Sequence, residues 1–229
     1  MRLTPFVFVL LLSAAALGTA ACSGGDDVPD GAVAVVDGTV VPRSALDELL
    51  KRQKAVYAAD NEEFPEEGSD RYNDIRRNYV VYLVQQVEFE KEAEKLGVTV
   101  SQKDVDEELQ RFIEGNYPND REKFEQYLKA QGFTLETFKK SLRASVLTRK
   151  VLAAATRNVK VDDSELVAYY QLNRATKYAD TPFERARESI HATLLSQKRG
   201  EANIAWIQNL SVRYDDKVDY AKGFEPPGS

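Results

Sequence analysis

The sequence contains few residues that could act together as a catalytic or metal-binding group. It has a single cysteine, Cys22, and a single histidine, His191. A Ser-His-Asp triad or a Cys-His pair therefore has no support in the sequence. His191 stands between Ile190 and Ala192 in a helical pattern, and we interpret it as an ordinary helix residue. The spacings typical of zinc sites, phosphate-binding loops and dinucleotide-binding loops are also absent from the sequence. We expect no catalytic residue, no metal and no cofactor.

Cys22 follows a segment that is typical of export signals. Arg2 is the only charged residue before Asp26, and residues 6–17 form an apolar run. This run is too short for a transmembrane helix, which takes about 20 residues, but it suits the apolar region of a signal peptide. The sequence Thr19-Ala20-Ala21-Cys22 resembles the lipobox of bacterial lipoproteins, with threonine where leucine is usual.

These features predict a lipoprotein signal peptide over residues 1–21 and lipidation at Cys22. Several acyl chains on one cysteine would hold a protein firmly, because each buried methylene contributes about 0.8 kcal/mol. Residues 22–30 are small, acidic and rich in glycine, as in a flexible tether. The predicted location is the extracytoplasmic face of a bacterial membrane. Ordinary secretion with a free thiol at Cys22 is the alternative.

The composition favours a folded protein that does not bind nucleic acid. Hydrophobic residues make up 43% of the 229 residues, which is enough for a packed core. The formal net charge is −6, and the sequence has no concentrated basic block. We expect a single domain over residues 31–220 and a Pro/Gly-containing tail over residues 221–229.

The pattern along this domain is mostly helical. Asp37-Gly38 between valine-rich segments predicts a β-hairpin. Gly97 and Gly132 predict helix ends, and a final helix is predicted from Pro182 to Leu210, followed by a short strand around Val218 and Tyr220. Four residues are expected to begin helices. Three of them have a possible capping partner three positions later: Ser101 with Asp104, Asn119 with Glu122, and Asp162 with Glu165. The fourth is Thr134.

Five segments resemble, in order, the SurA/PrsA-type chaperone-foldases of bacterial envelopes. The resemblance covers most of residues 31–220, and Trp206 falls at a tryptophan position of that family. The segments are VAVVDGTVVPRSALDELL, VEFEKEAEKLGVTVSQKDVDEELQRF, FEQYLKAQGFTLETFKKSLRASVLTRKVL, VKVDDSELVAYYQLNRATKY and FERARESIHATLLSQKRGEANIAWIQNL.

The resemblance implies a mostly α fold. The expected architecture is a multi-helix lobe like the SurA N-terminal domain, with a small β-hairpin near the N-terminus and a long C-terminal helix that returns to complete the lobe. Trp206 should then be buried against the helices of residues 75–96 and 135–155. Family members usually carry a parvulin-type prolyl isomerase domain before the closing helix, and residues 174–182 leave no room for one.

The function implied by the resemblance is a membrane-anchored chaperone that needs no ATP and binds unfolded exported polypeptides. The alternatives are a prolyl isomerase by homology, or a scaffolding lipoprotein with one dedicated envelope partner. Most aromatic residues at helical spacing belong to a core, but some should form an apolar surface for client chains. The candidates for this surface are Tyr82, Phe89, Phe112, Tyr127, Tyr169 and Tyr170.

Overall fold

The computed structural model describes residues 28–226 of the chain. The predicted signal peptide, the lipidation site Cys22 and most of the predicted tether lie outside these residues. Among the described residues, no helix is both long enough and apolar enough to cross a membrane.

The described residues form seven α-helices and one small sheet, which confirms the predicted mostly α fold with a hairpin near the N-terminus. The elements in chain order are β1 (Ala32–Val36), β2 (Thr39–Pro42), α1 (Arg43–Ala59), α2 (Asp70–Leu96), α3 (Gln102–Asn116), α4 (Arg121–Ala130), α5 (Leu135–Ala155), α6 (Asp163–Asn173), α7 (Phe183–Tyr214) and β3 (Val218–Tyr220).

The predicted hairpin at Asp37-Gly38 is confirmed. Val36 pairs with Thr39, so the two strands are joined by a two-residue turn. Both turn residues have positive φ, 46° at Asp37 and 78° at Gly38, as a type I′ turn requires. β3 pairs with the other edge of β1, which gives an antiparallel sheet in the order β2-β1-β3. The C-terminal strand therefore closes on the N-terminal hairpin.

Most of the predicted helix ends are also confirmed. α2 ends at Gly97, which has a left-handed φ of 65°. Ser101 and Asp104 form a reciprocal capping box at the start of α3, and Thr134 and Asp162 occupy the equivalent positions before α5 and α6. The side chains of Ser101 and Thr134 each accept from a backbone N–H three residues later, and the backbone N–H of Asp162 donates to Glu165 Oε2. These bonds satisfy N–H groups that have no partner within the helix.

Two predicted boundaries are wrong by a few residues. α4 begins after Asp120, whose carboxylate accepts from the N–H of Lys123, because Asn119 adopts a left-handed turn with φ of 59°. α7 continues past Leu210 to Tyr214. Phe224, which belongs to the predicted tail over residues 221–229, is buried in the main core beneath the guanidinium groups of Arg43 and Arg76.

The main hydrophobic core lies between the sheet and helices α1, α2 and α7. Val33 and Val36 of β1, Leu46 of α1 and Val80 of α2 are almost fully buried there. Leu210, near the end of α7, is buried in the same cluster. The predicted return of the last helix onto the N-terminal elements is therefore confirmed. Trp206 is half-buried rather than fully buried, with its ring 5.6 Å from that of Phe89.

Two smaller cores flank the main one. The first holds α3, α4 and α5 together through residues such as Val105, Phe124 and Phe138. The second joins α6 to the first part of α7 through Leu166 and Ile190. Helix α7 thus connects the α6–α7 pair to the main core.

A polar cluster fixes the end of α7 to α2. The Tyr214 hydroxyl donates to Glu92 Oε1 at 3.1 Å, and Lys95 Nζ lies 2.9 Å from both of these oxygens. Arg213 pairs with the other oxygen of Glu92 at 3.3 Å. Burial alone would raise the pKa of Glu92, but the hydrogen bonds from Lys95 and Tyr214 and the charge of Arg213 outweigh it and lower the pKa. The carboxylate of Glu92 is therefore the polar centre of this contact.

Glu88, one helical turn before Glu92, lies in a different environment. It is 4% exposed. Burial raises the pKa of its carboxyl, and the nearby Glu92 adds to this effect while Arg213 opposes it. The folded state therefore favours the neutral form of Glu88 more than the unfolded state does, and this contribution to stability is lost as the pH rises through the folded-state pKa.

We predict that Glu88→Gln stabilises the protein at neutral pH. The amide removes the cost of burying a charge, so the variant should match the wild type below about pH 4, near the ordinary pKa of glutamate, and exceed it increasingly as pH rises. Urea denaturation between pH 4 and 7.5 measures the difference. Glu62→Gln, in the exposed loop after α1, is the control and should follow the wild type. A difference that is negative at pH 7, or the same at every pH, would contradict this prediction.

Candidate functional site

An open groove lies between α2, α5 and α7, and we call it the central groove. Its volume is about 760 Å³. Small side chains of α5 line it at helical spacing, including Ser141, Ser145 and Thr148. These side chains fill little space, so the groove is kept open between the helices.

Larger and more chemically varied residues complete the central groove. Tyr82 and Gln86 contribute from α2, and Leu152 adds an apolar surface from α5. α7 contributes Arg199 and Asn203. Tyr82 is 41% exposed, which is unusual for a large aromatic ring in this fold. The groove therefore offers apolar contact and hydrogen-bonding groups side by side.

The charged residues that line the central groove are all basic. They are Arg149, Arg157 and Arg199, and no aspartate or glutamate within residues 28–226 lines it. Arg149 also forms a two-pronged contact with Glu108 of α3, at 2.6 and 3.2 Å. Hydrogen bonding from Arg149 lowers the pKa of Glu108 despite partial burial. Together with the pairs Asp104–Lys150 and Asp106–Lys139, this contact holds α3 against α5.

A second groove, the α3–α4 groove, has a different character. Its volume is about 600 Å³, and its apolar lining includes Ile113, Tyr117 and Phe124. Leu135, the first residue of α5, lies at this groove and is 44% exposed. The charged residues that line it are Glu114, Asp120, Arg121 and Glu125. Acidic side chains thus predominate here, in contrast to the central groove.

Large apolar side chains are also exposed outside the two grooves. Ile204 and Ile207 of α7 are 60% and 39% exposed, and Leu172 near the end of α6 is 84% exposed. Isolated exposed apolar residues are common on protein surfaces. Ile204, however, follows Asn203 directly and Ile207 lies one helical turn after it, so the helix that forms one wall of the central groove also carries apolar surface.

The structure separates the six aromatic candidates. Tyr82 lines the central groove. Phe89 is 7% exposed and belongs to the main core beneath Trp206, so the expectation that it lies on the surface is wrong. Phe89 is buried because it faces the returning helix α7, a contact between residues far apart in sequence.

The other four candidates are half-buried in the two smaller cores. Phe112 packs 5.6 Å from Tyr127 and 5.0 Å from Phe138, in the core of α3, α4 and α5. Tyr169 and Tyr170 both contact Tyr178, and the Tyr170 hydroxyl donates to the carbonyl of Thr181 at 2.9 Å. The two tyrosines of α6 therefore pack against the segment 174–182, which joins α6 to α7.

Sequence reasoning missed the basic residues of the central groove. Arg157 and Arg199 are far apart in the sequence and become neighbours of one groove only because α7 returns across the lobe. One signal was available: Ser141, Ser145 and Thr148 form a face of small residues on an amphipathic helix. Such a face on an amphipathic helix indicates either close packing or an open groove.

No metal-binding arrangement is present in the part of the chain that the structure describes. Residues 28–226 contain no group of three or more His, Cys, Asp or Glu side chains placed to hold a metal ion. His191 is exposed on α7.

The sequence of this chain matches a known protein family. Residues 2–152, more than half of the chain, match the SurA-like N-terminal domain. The chain belongs to this family. The match extends through β1, β2 and helices α1 to α4 and almost to the end of α5. It includes the residues of α2 that line the central groove and most of those of α5. The predicted resemblance to SurA/PrsA-type chaperones is confirmed.

Individual relatives extend the similarity over nearly the whole chain. The foldase protein PrsA of Clostridium botulinum strain Hall is 27% identical over 228 residues, which cover 93% of this chain and 64% of the relative. The foldase protein PrsA of Clostridium kluyveri is 29% identical over 208 residues, covering 83% of this chain and 57% of the relative. The chain therefore spans less than two thirds of the length of these relatives.

The contrast between Tyr82 and Phe89, both on α2, gives a direct test of which aromatic residues are available for binding. Tyr82→Ala should change the free energy of unfolding by no more than about 0.5 kcal/mol, because the ring is exposed. Phe89→Ala should cost about 3–5 kcal/mol, because it leaves a cavity in the main core. Urea denaturation of the two variants measures both values. A loss of more than about 2 kcal/mol for Tyr82→Ala would assign that ring to the core instead.

Proposed function

We propose that this protein is a chaperone of the bacterial cell envelope that binds unfolded exported polypeptides without ATP. The observation that carries the proposal is the central groove, which is open and combines apolar and polar groups on a helical lobe of the SurA-like family. Its volume lies within the range of about 300–1,000 Å³ that is usual for binding clefts.

An unfolded chain presents both apolar side chains and unpaired backbone amides. Tyr82 and Leu152 offer surface to apolar side chains, whereas Gln86 and Asn203 offer hydrogen-bonding groups to a backbone. Because such contacts do not depend on one particular sequence, they suit many different clients. The exposed Ile204 and Ile207 on α7 would extend the apolar surface next to the groove.

We further propose that this stretch of chain does not catalyse prolyl isomerisation, although its relatives are named foldases. In the described structure, residues 174–182 connect α6 to α7 by a short turn in which Tyr178 is buried. This short connection between α6 and α7 supports the proposal, because the resemblance implies that an isomerase domain would stand before the closing helix. We also propose that residues 31–220 form one chaperone domain, and Phe224 adds a side chain to its core.

The anchor at Cys22 is also part of the proposal. The apolar run of residues 6–17 and the lipobox-like sequence before Cys22 support lipidation at this cysteine. A tether over residues 22–30 would hold the lobe close to the membrane at which exported chains emerge. Binding is then favoured because client and chaperone are confined to the same surface.

The chaperone proposal predicts that the chain from Ser23 onward suppresses the aggregation of chemically denatured proteins without nucleotide. Light scattering with several unrelated clients measures this activity. Tyr82→Ala should weaken the suppression, whereas Val212→Ala, on an exposed part of α7 and 71% exposed, should not. A proline-limited refolding assay on the same sample should show no acceleration. Binding of one folded partner only, with no effect on denatured clients, would support a scaffolding role instead.

The anchor proposal predicts a clear effect of Cys22→Ser in a bacterial host. The variant should remain as an unprocessed precursor and should lose the acyl modification, because lipidation of this cysteine precedes cleavage of the signal. Metabolic labelling with a fatty acid reports the acyl modification, and the electrophoretic mobility of the protein reports cleavage of the signal. Membrane fractionation then shows whether the protein is still anchored. Normal processing and unchanged fractionation of the variant would show that Cys22 is not the anchor.

A further inference from the structure

The two grooves of this protein carry opposite charge. Among the described residues, three arginines and no carboxylates line the central groove, whereas Glu114, Asp120 and Glu125 line the α3–α4 groove beside a single arginine, Arg121. The whole chain has 37 acidic and 31 basic residues, so a purely basic lining departs from its average surface. A charge separation of this kind determines which ligands a surface attracts.

Two of the three arginines are available to a ligand. Arg149 is engaged by Glu108 through both terminal nitrogens. Arg157 and Arg199 are exposed, and neither forms an ion pair within residues 28–226. Arg157 follows the end of α5 and Arg199 lies on α7, so two separate elements each present one guanidinium to the same groove. A guanidinium binds a carboxylate through two parallel hydrogen bonds, which favours acidic side chains over neutral ones.

Asn203 supplies a second kind of binding group on the same helix face. It lies one helical turn after Arg199 and lines the central groove. Its side-chain amide can form a hydrogen bond with the backbone of a polypeptide laid in the groove. Together with the apolar surface of Tyr82 and Leu152, the guanidinium groups and this amide fit an extended peptide better than a simple anion.

We propose that the central groove selects acidic, extended segments of polypeptides. Carboxylates of the segment pair with Arg157 and Arg199, a backbone group of the segment bonds to the side-chain amide of Asn203, and an apolar side chain of the segment contacts Tyr82. This inference rests on the proposed client binding and adds a preference to it: among unfolded chains, the groove favours segments in which carboxylates alternate with apolar residues.

Two peptides and two charge-reversed variants test the proposal. One fluorescent peptide alternates aspartate with leucine and tyrosine, and the other has lysine in place of each aspartate. Binding to the chain from Ser23 onward is measured by fluorescence anisotropy at low and high salt. The acidic peptide should bind more tightly, and salt should weaken its binding, because exposed charge contacts are screened.

The variant Arg157→Glu/Arg199→Glu should weaken binding of the acidic peptide by about tenfold or more and should strengthen binding of the basic peptide. Its matched control is Arg174→Glu/Arg185→Glu, which makes the same change in net charge at exposed positions on the α6–α7 pair. The control should keep the wild-type preference. Thermal unfolding by circular dichroism verifies that both variants are folded.

The possible outcomes separate this inference from the chaperone proposal. If both peptides bind equally well and the groove variant behaves like its control, the acidic preference is wrong while client binding stands. If neither peptide binds and denatured clients still aggregate, both proposals are wrong. If the groove variant and its control lose the preference equally, net charge rather than the groove determines it, and the inference is overturned.

Discussion

The return of helix α7 onto α2 and the sheet is the contact on which the rest of this structure depends. Leu210 and Tyr214 are buried where the end of α7 meets the main core, and the Tyr214 hydroxyl bonds to Glu92 on α2. This contact joins the two ends of the domain, and β3 then adds a strand beside the N-terminal hairpin. Without it, the α6–α7 pair would be joined to the lobe only through the segment after α5, and the central groove would lack a wall.

The same contact explains why the lobe has open grooves rather than a single continuous core. The described hydrophobic residues fall into three clusters, and α7 extends from the cluster it shares with α6 to the main core. Over the part of its length between these two contacts, α7 faces α5 across small side chains instead of packing against large ones. Helices held apart in this way leave apolar and polar groups accessible. The ends of α7 pack into hydrophobic clusters, and the central groove lies between them.

Basic and acidic residues line different grooves, although the net charge of the chain is negative. The acidic chain places arginines from α5 and α7 around the central groove, and acidic side chains of α3 and α4 around the other groove. The ion pairs between α3 and α5, such as Glu108–Arg149, lie between these regions and hold the helices in place. Glu88 and Glu92, one turn apart on α2, also lie in contrasting environments. Burial raises the pKa of Glu88, whereas the hydrogen-bond partners of Glu92 and the charge of Arg213 lower its pKa.

The sequence alone determined the local features of this protein, and the tertiary structure decided which surfaces are available. The Asp37-Gly38 turn, the Gly97 helix end and the Ser101–Asp104 capping box were all predictable, because each depends on the conformational preferences of residues within one turn. The return of α7 was predicted from the resemblance to a family rather than from periodicity. The exposure of Tyr82 and the burial of Phe89 were not predictable: both are aromatic residues on α2, and only the position of α7 distinguishes them. The meeting of Arg157 and Arg199 at one groove has the same origin, because contacts between residues distant in sequence leave no local pattern.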